Sequence, residues 1–297
     1  MMTTTTSRWA VLAGLLAVAA SPLPAADGTP PRRIVSTAPS ITETLFALGL
    51  GDRVVGVSQY CRHPDAVRAL PKVGSLLRPD VETIARLGPD LVLTGTRADG
   101  FEGRLRAVGL RFANAERGTG LAGVYETMQA IADAAAVPDR GRALVADIQG
   151  RLAVLKAAGQ RLPHPRVLLI VGRRPGTLSD IVAVGRRAYL GELIDLVGGT
   201  NVLDDPSLPE YPRISLETVI RSRPDVVIDT GDMGEDAPER ERQAIANRAL
   251  WRADPLVSAS GIRRIHAATA DALVVPGPRV VDAAEWLRSL IHDDRVP

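Results

Sequence analysis

The chain carries few residues able to do covalent chemistry, and they are scattered. Its four histidines, His63, His164, His266 and His292, are widely separated, so no chelating pair at i, i+4 arises and an enzyme-type zinc site has no local pattern to rest on. There is no GxSxG elbow, no HExxH and no CxxC, the motifs that would mark a hydrolase, a metalloprotease or a redox centre. Cys61 is the single cysteine; it allows no internal disulfide and reads first as a small buried hydrophobe. One motif does match. Residues 118–123 spell GTGLAG, a literal GxGxxG between a predicted strand and a predicted helix, which could cradle a dinucleotide pyrophosphate. Its position argues against that use: it follows a late strand, and about 20 residues on, where an acidic residue should close the next strand, the chain is inside a helix around Ala143. With no nucleophile or acid–base constellation, the residues point toward binding rather than turnover.

The elements that would position a binding site are signalled by a stretch that occurs twice. Residues 80–96 read DVETIARLGPDLVLTGT and residues 215–231 read SLETVIRSRPDVVIDTG. Glu, Thr, Arg, Pro, Asp and Val recur at matching places, and most other core positions exchange one aliphatic residue for another. Each copy has a capping residue (Asp80 or Ser215), a short helix opened by Glu82 or Glu217, a Pro-Asp turn, and a run of β-branched residues and leucine. Each therefore predicts a helix feeding a buried strand. The duplication predicts two α/β lobes facing each other across a cleft, where small ligands bind.

The flanking segments fit that plan. Residues 33–37 and 54–58 read as strands around an apolar helix over 41–48 that stops at Gly49. Residues 101–109 are amphipathic, 110–114 strand-like, and 121–136 a long helix. Residues 139–160 place Leu144, Ile148, Leu152 and Leu155 at helical spacing and predict one long helix joining the lobes. A second series follows: strand 167–171, helix 189–197, the second repeat copy, strand 262–267, a Pro276-Gly277-Pro278-Arg279 turn and a closing helix through His292. The alternation predicts parallel pairing. Trp251 and Trp286 sit on amphipathic helical stretches and read as packing. The predicted divisions are residues 1–26, 27–138, 139–161 and 162–297.

The first of these divisions has the layout of a secretory signal peptide: Arg8, an apolar run over residues 9–20 too short to span a bilayer, then Ser21, two prolines and Ala25-Ala26. Cleavage after Ala25 or Ala26 is expected. With no cysteine beside that site, the expected product is soluble in a periplasm rather than lipid-anchored. The whole chain has 36 basic and 34 acidic side chains, and there is no basic stripe with interleaved aromatics, so a nucleic-acid partner is not expected.

These segments carry a family resemblance. RIVSTAPSITETLFALGLGDRVVGVSQYCRHPD and LPKVGSLLRPDVETIARLGPDLVL resemble the periplasmic substrate-binding proteins of ATP-driven importers for vitamin B12, haem and iron-siderophore complexes. YLGELIDLVGG, YPRISLETVIRSRPDVVI and VPGPRVVDAAEWL are similar to the second-lobe and closing segments of that family. The resemblance implies an α/β fold of two Rossmann-like lobes, of the kind seen in the nitrogenase iron-molybdenum protein, joined by one long helix with the ligand cleft between them. It also implies a monomer with no catalytic residues, no structural metal and no resident cofactor.

By the same resemblance, loops following strands line the cleft. The candidates are Pro39 and Ser40, Tyr60 and Cys61, and Thr96 and Arg97 from the first lobe, with Arg173, its neighbour Arg174, Tyr211 and Arg279 from the second. Tyr60 and Tyr211 can stack on a flat macrocycle, and arginines suit ligand carboxylates or phosphates. Tyrosine, cysteine or histidine could also ligate haem iron. Cobalamin binders of this family carry several cleft tryptophans, which this chain lacks. The implied cargo is a cobamide or iron-siderophore complex, with haem second. A zinc or manganese binder that uses His63 and His266, or a secreted two-lobed enzyme, are the other readings. Glu82 and Glu217 are implied to dock onto arginines of the importer's two membrane subunits.

Overall fold

The computed structural model describes residues 30–75, 77–95, 100–231, 237–262, 264–267 and 271–292; the segment read as a signal peptide lies outside them. From the amino-terminal side, β1 (Ile34–Ser36), α1 (Pro39–Ala47), β2 (Val54–Val57), α2 (Val81–Arg86), β3 (Leu91–Thr94), α3 (Phe101–Ala107) and β4 (Phe112–Asn114) form the first lobe. Its four strands pair in the order β2-β1-β3-β4, all parallel, with Ile34 opposite Leu91 and Val92 opposite Phe112. Both faces of this sheet are covered, which is why its strands read as unbroken apolar runs. Ile34, Leu91 and Leu93 pack toward α1, while Val35 and Val92 pack on the other side against Ile84 of α2 and Phe101 and Leu105 of α3.

Two long helices follow, α4 (Gly120–Ala134) and α5 (Pro138–Gly159). α5 has 22 residues, starts on Pro138 and buries Gly141, Ile148, Leu152, Leu155 and Gly159, so proline opens the helix where its missing N–H costs nothing. The sequence pattern assigned the link between lobes to this helix alone. The structure gives α4 a share: Ile131 and Ala132 pack in the first-lobe core, whereas Leu121, Val124 and Met128 pack in the core of the second. Leu144 of α5 packs against both cores. One apolar seam therefore runs from lobe to lobe.

The second lobe contains β5 (Arg166–Gly172), β6 (Ile181–Ala183), α6 (Tyr189–Leu196), β7 (Thr200–Asn201), β8 (Arg213–Ile214), α7 (Leu216–Arg221), β9 (Val226–Asp229), α8 (Ala237–Ala253), α9 (Pro255–Ser260), β10 (Arg264–Ala267) and α10 (Val280–His292). Its sheet runs β10-β9-β5-β6-β8, with β7 also beside β5. β10, β9, β5 and β7 pair in parallel, but β6 is antiparallel to β5 and β8 antiparallel to β6, which corrects the expectation of parallel pairing at this edge. The reason is the short link between β5 and β6: a parallel partner needs a crossover of a dozen or more residues, and residues 173–180 allow only a reversal.

The repeat extends to how each lobe starts its sheet. Asp90 of the first Pro-Asp turn accepts from the backbone N–H groups of Arg32 and Arg33 at 2.7 and 3.0 Å, and Asp225 of the second accepts from Arg166 at 2.7 Å. The side chains of Arg33 and Arg166 reach back to the helix-end carbonyls of Leu87 and Gly88, or Ser222 and Arg223. Each turn thus joins helix end to strand start. Asp80 and Ser215 accept from the N–H of Thr83 and Thr218, as N-caps do.

Candidate functional site

The loops at the carboxyl ends of the strands converge on a cavity of about 310 Å³ between the lobes, a size at the lower end for small-molecule sites. From the first lobe it is lined by residues 38–41 at the start of α1 and Gly95 after β3, and residues 116–119 of the loop after β4 lead into Gly120, Gly123, Val124 and Thr127 of the shared helix α4. From the second lobe come Tyr189 at the start of α6, Glu210 and Tyr211 before β8, and residues 274–276 before α10. Such a position, outside the carboxyl ends of the strands, is where open α/β sheets place ligands.

The polar groups of the lining are held by their own elements. Arg117 donates from Nη1 to the carbonyls of Asn114 and Glu116 at 2.9 and 2.8 Å, and from its backbone N–H to Thr127 Oγ1 at 3.0 Å. A cationic side chain is thereby fixed to the loop that enters α4. Tyr189 is buried and donates its hydroxyl to the carbonyl of Leu273; desolvation first, then Tyr211 and Glu43, hold its phenol well above the ordinary range. Tyr211 is 40% exposed at the rim. Desolvation of its hydroxyl, with the Glu210 carboxylate adding to it, pushes that phenol up to about 12. Both tyrosines are neutral donors at physiological pH.

Of the residues singled out from sequence, Pro39, Ser40 and Tyr211 line this cavity. Thr96 and Arg97 lie outside the described residues. Tyr60 is 53% exposed on the loop after β2 and is not part of the lining. Cys61 is buried 3.1 Å from the Thr42 hydroxyl, which donates to Ser36 Oγ at 2.8 Å, and burial pushes its thiol up. It behaves as a core residue. Arg173 is turned into the lobe, where its Nε meets Asp229 Oδ2 at 2.9 Å with both side chains fully buried. Arg174 pairs at the surface with Asp180, 2.7 Å away. Arg279 makes a two-bond ion pair with Glu43 of α1, at 2.8 and 2.5 Å. His266 is buried in β10 and His63 is exposed on the loop after Tyr60; among the described residues no group of three or more His, Cys, Asp and Glu could hold a metal ion.

Sequence reasoning passed over Arg117, Tyr189, Glu210 and residues 274–276. Arg117 was within reach of the rule that loops after strands line the cleft, since it follows β4 by three positions. The GTGLAG segment was noticed but weighed only as a nucleotide motif. Tyr189 was read as the start of a helix, and nothing in its neighbourhood distinguishes a helix-opening tyrosine in a core from one at a cavity wall.

A two-lobed α/β frame with a cavity walled by both lobes is the architecture of a solute-binding protein, and no helix among the described residues is long and apolar enough to cross a membrane. The chain belongs to the periplasmic binding protein family, which it matches over residues 34–259. It is similar to the vitamin B12-binding protein of Vibrio cholerae, 29% identical over 259 residues that cover 86% of this chain and 87% of that protein. The crystal structure of the V. cholerae periplasmic vitamin B12-binding protein BtuF superposes with a TM-score of 0.69 at 28% identity, over 88% of this chain and 97% of that one. The periplasmic haem-binding protein RhuT of Roseiflexus, in apo form, gives 0.71 at 27% identity, over 88% and 98%.

Proposed function

We propose that this protein captures a metal chelate, a cobamide in first place, in the cleft between its lobes and delivers it unchanged to an ATP-driven importer of the inner membrane. The observation that carries the reading is the character of the cavity. Its described lining offers phenol hydroxyls, one fixed arginine, the carboxylates of Glu116 and Glu210, the Ser40 and Thr hydroxyls and apolar backbone turns, with no imidazole or thiol. A corrinoid brings its own macrocycle and axial base, so it asks the protein for stacking surface and hydrogen bonds rather than a metal ligand. Tyr211 is placed to stack at the rim, and Arg117 to meet a phosphate or carboxylate. The sequence similarity to vitamin B12-binding proteins supports the same choice. The amino-terminal signal layout supports export, with the protein acting in the periplasm as a soluble monomer, and Glu82 and Glu217 form the contact with the membrane subunits.

Ultraviolet-visible and mass spectra of protein purified from a periplasmic extract, before and after separate additions of cyanocobalamin and haemin, test this. Retained corrinoid, or uptake of cyanocobalamin in preference to haemin, is the expected outcome. Uptake of haemin with a tyrosine-ligated spectrum and none of cyanocobalamin would replace the cobamide reading, and chemical alteration of either molecule would replace binding by catalysis.

A further inference from the structure

Two electrostatic contacts flank the cavity, one between the lobes and one between α6 and the helix α4 that packs in both cores. The first is the pair of Glu43 and Arg279, residues 236 positions apart, in which Nε donates to Oε2 at 2.8 Å and Nη2 to Oε1 at 2.5 Å. The side chains are 4% and 19% exposed. Glu43 lies one turn beyond the lining residues 39–41 of α1, and Arg279 three positions after the lining residue Pro276. Beside them the walls touch: a Cβ on Gly277 would stand 3.6 Å from the Cα and carbonyl oxygen of Ser40.

The second contact explains the GTGLAG segment. Glu192 of α6 reaches across to accept the N–H of Leu121 at 3.3 Å, in the first turn of α4, whose N-cap Thr119 makes no side-chain cap. Gly120 sits at φ +65°, and a Cβ there would come 2.0 Å from Glu192 Oε1, so the carboxylate would have to leave its place. Gly123 lies against the backbone of Gly118, 2.6 Å from where its own Cβ would be. The glycines therefore admit the α6 carboxylate to the positive end of α4, the place a pyrophosphate takes in a nucleotide fold.

We propose that Glu43 and Arg279 are positioning residues of the cleft: their forked ion pair sets the separation of the two walls before any ligand arrives. A partly buried bidentate pair tolerates little displacement, and a site preset in its bound geometry spares the ligand the cost of ordering it. The consequence for affinity rests on the cleft being the ligand site; the consequence for lobe spacing does not.

Spin labels at Val108→Cys and Leu256→Cys, exposed positions on opposite lobes, read that spacing in the unliganded protein, because Cys61 is buried. Glu43→Gln keeps the shape and removes the charge, and Arg279→Lys keeps the charge and removes the fork. Both should lengthen and broaden the interlobe distance, Arg279→Lys less, and Glu43→Gln should weaken cyanocobalamin binding by about tenfold. Distances unchanged in both variants, with only a lowered melting temperature, would overturn the proposal and leave the pair a purely structural one. Should Glu43→Gln fail to fold, the Arg279→Lys distance decides alone, and either distance decides even if cyanocobalamin does not bind.

Discussion

Asp229 shows how a single residue turns a candidate ligand group into a core component. Its Oδ2 accepts from Arg173 Nε at 2.9 Å and Trp251 Nε1 at 2.8 Å, and its Oδ1 from the Gly231 N–H at 2.9 Å. An aspartate at the end of an otherwise apolar, buried strand requires such partners, because an unpaired buried carboxylate is strongly disfavoured. The sequence held that signal at VVID, where the first repeat copy has Thr94, but it could not say which arginine answers; Arg173 and Arg174 look alike until the chain turns one inward. Asp229→Ala, which strands the buried guanidinium, should lower stability by about 3–5 kcal/mol, and Trp251→Phe, which removes one donor, by about 1–2 kcal/mol. Urea unfolding of the two variants measures this, and equal costs would mean the pair adds nothing beyond packing.

His266 gives a second prediction at this scale. Both ring nitrogens are buried without a hydrogen-bond partner among the described residues, and desolvation, followed by Arg264 and Arg248, lowers its pKa. The native protein therefore holds it neutral while the unfolded chain binds a proton more readily. Its contribution is fully present above the unfolded value of about 6.5 and is lost as the pH falls toward the folded value. His266→Asn should flatten the loss of the urea midpoint between about pH 7.5 and about pH 5.5. Parallel pH profiles for variant and wild type would assign that loss to other groups.

Among the elements, those with strong local patterns were legible. The two repeat copies appear as α2-β3 and α7-β9 with their caps, and α5 begins one residue before the segment 139–160 that its apolar spacing marks as a helix. The strands β6, β7 and β8, of two or three residues each, are too short for an alternation to register, and their pairing depends on tertiary context. Of α8 the sequence marks only the helical stretch around Trp251: PERERQAIANR is dominated by charged and polar residues, and the Trp251 contact that anchors the helix is tertiary. Glycines separate the two kinds of information. Gly120, at φ +65° against Glu192, and Gly150, inside α5 with nothing within 4 Å of an added Cβ, are indistinguishable in sequence. Gly120→Ala should destabilise by about 1–2 kcal/mol from backbone handedness alone, whereas Gly150→Ala should stabilise by about 0.4–1 kcal/mol. Thermal melting compares them, and like-signed shifts would contradict the left-handed backbone at Gly120.

For the whole molecule, the duplicated lobes set two carboxylates in equivalent places. Glu82 and Glu217 are 83% and 79% exposed, each beside the arginine four residues on, at 3.2 and 2.7 Å. Exposed pairs of this kind contribute about 0–1 kcal/mol, so the glutamates are free to exchange partners. Joint replacement of both by Ala should leave ligand affinity and melting temperature nearly unchanged while reducing transport and transporter-stimulated ATP hydrolysis in vesicles. Normal uptake would leave them only their helix-dipole role. The cleft itself was legible as a place, between the repeats, but only in part as a surface. Pro39, Ser40 and Tyr211 follow from the strand-end rule, while Tyr189 and residues 274–276 reach the cavity through packing of α6 and α10 that no local pattern encodes.

Calorimetric titration of cyanocobalamin into the wild-type protein and Tyr211→Ala bears most directly on the central claim. The wild type should bind one molecule per chain, saturably, and the variant should lose about thirtyfold in affinity, the usual cost of removing an aromatic anchor. No saturable binding to the wild type, or equal affinity in the variant, would contradict a corrinoid site between the lobes at Tyr211.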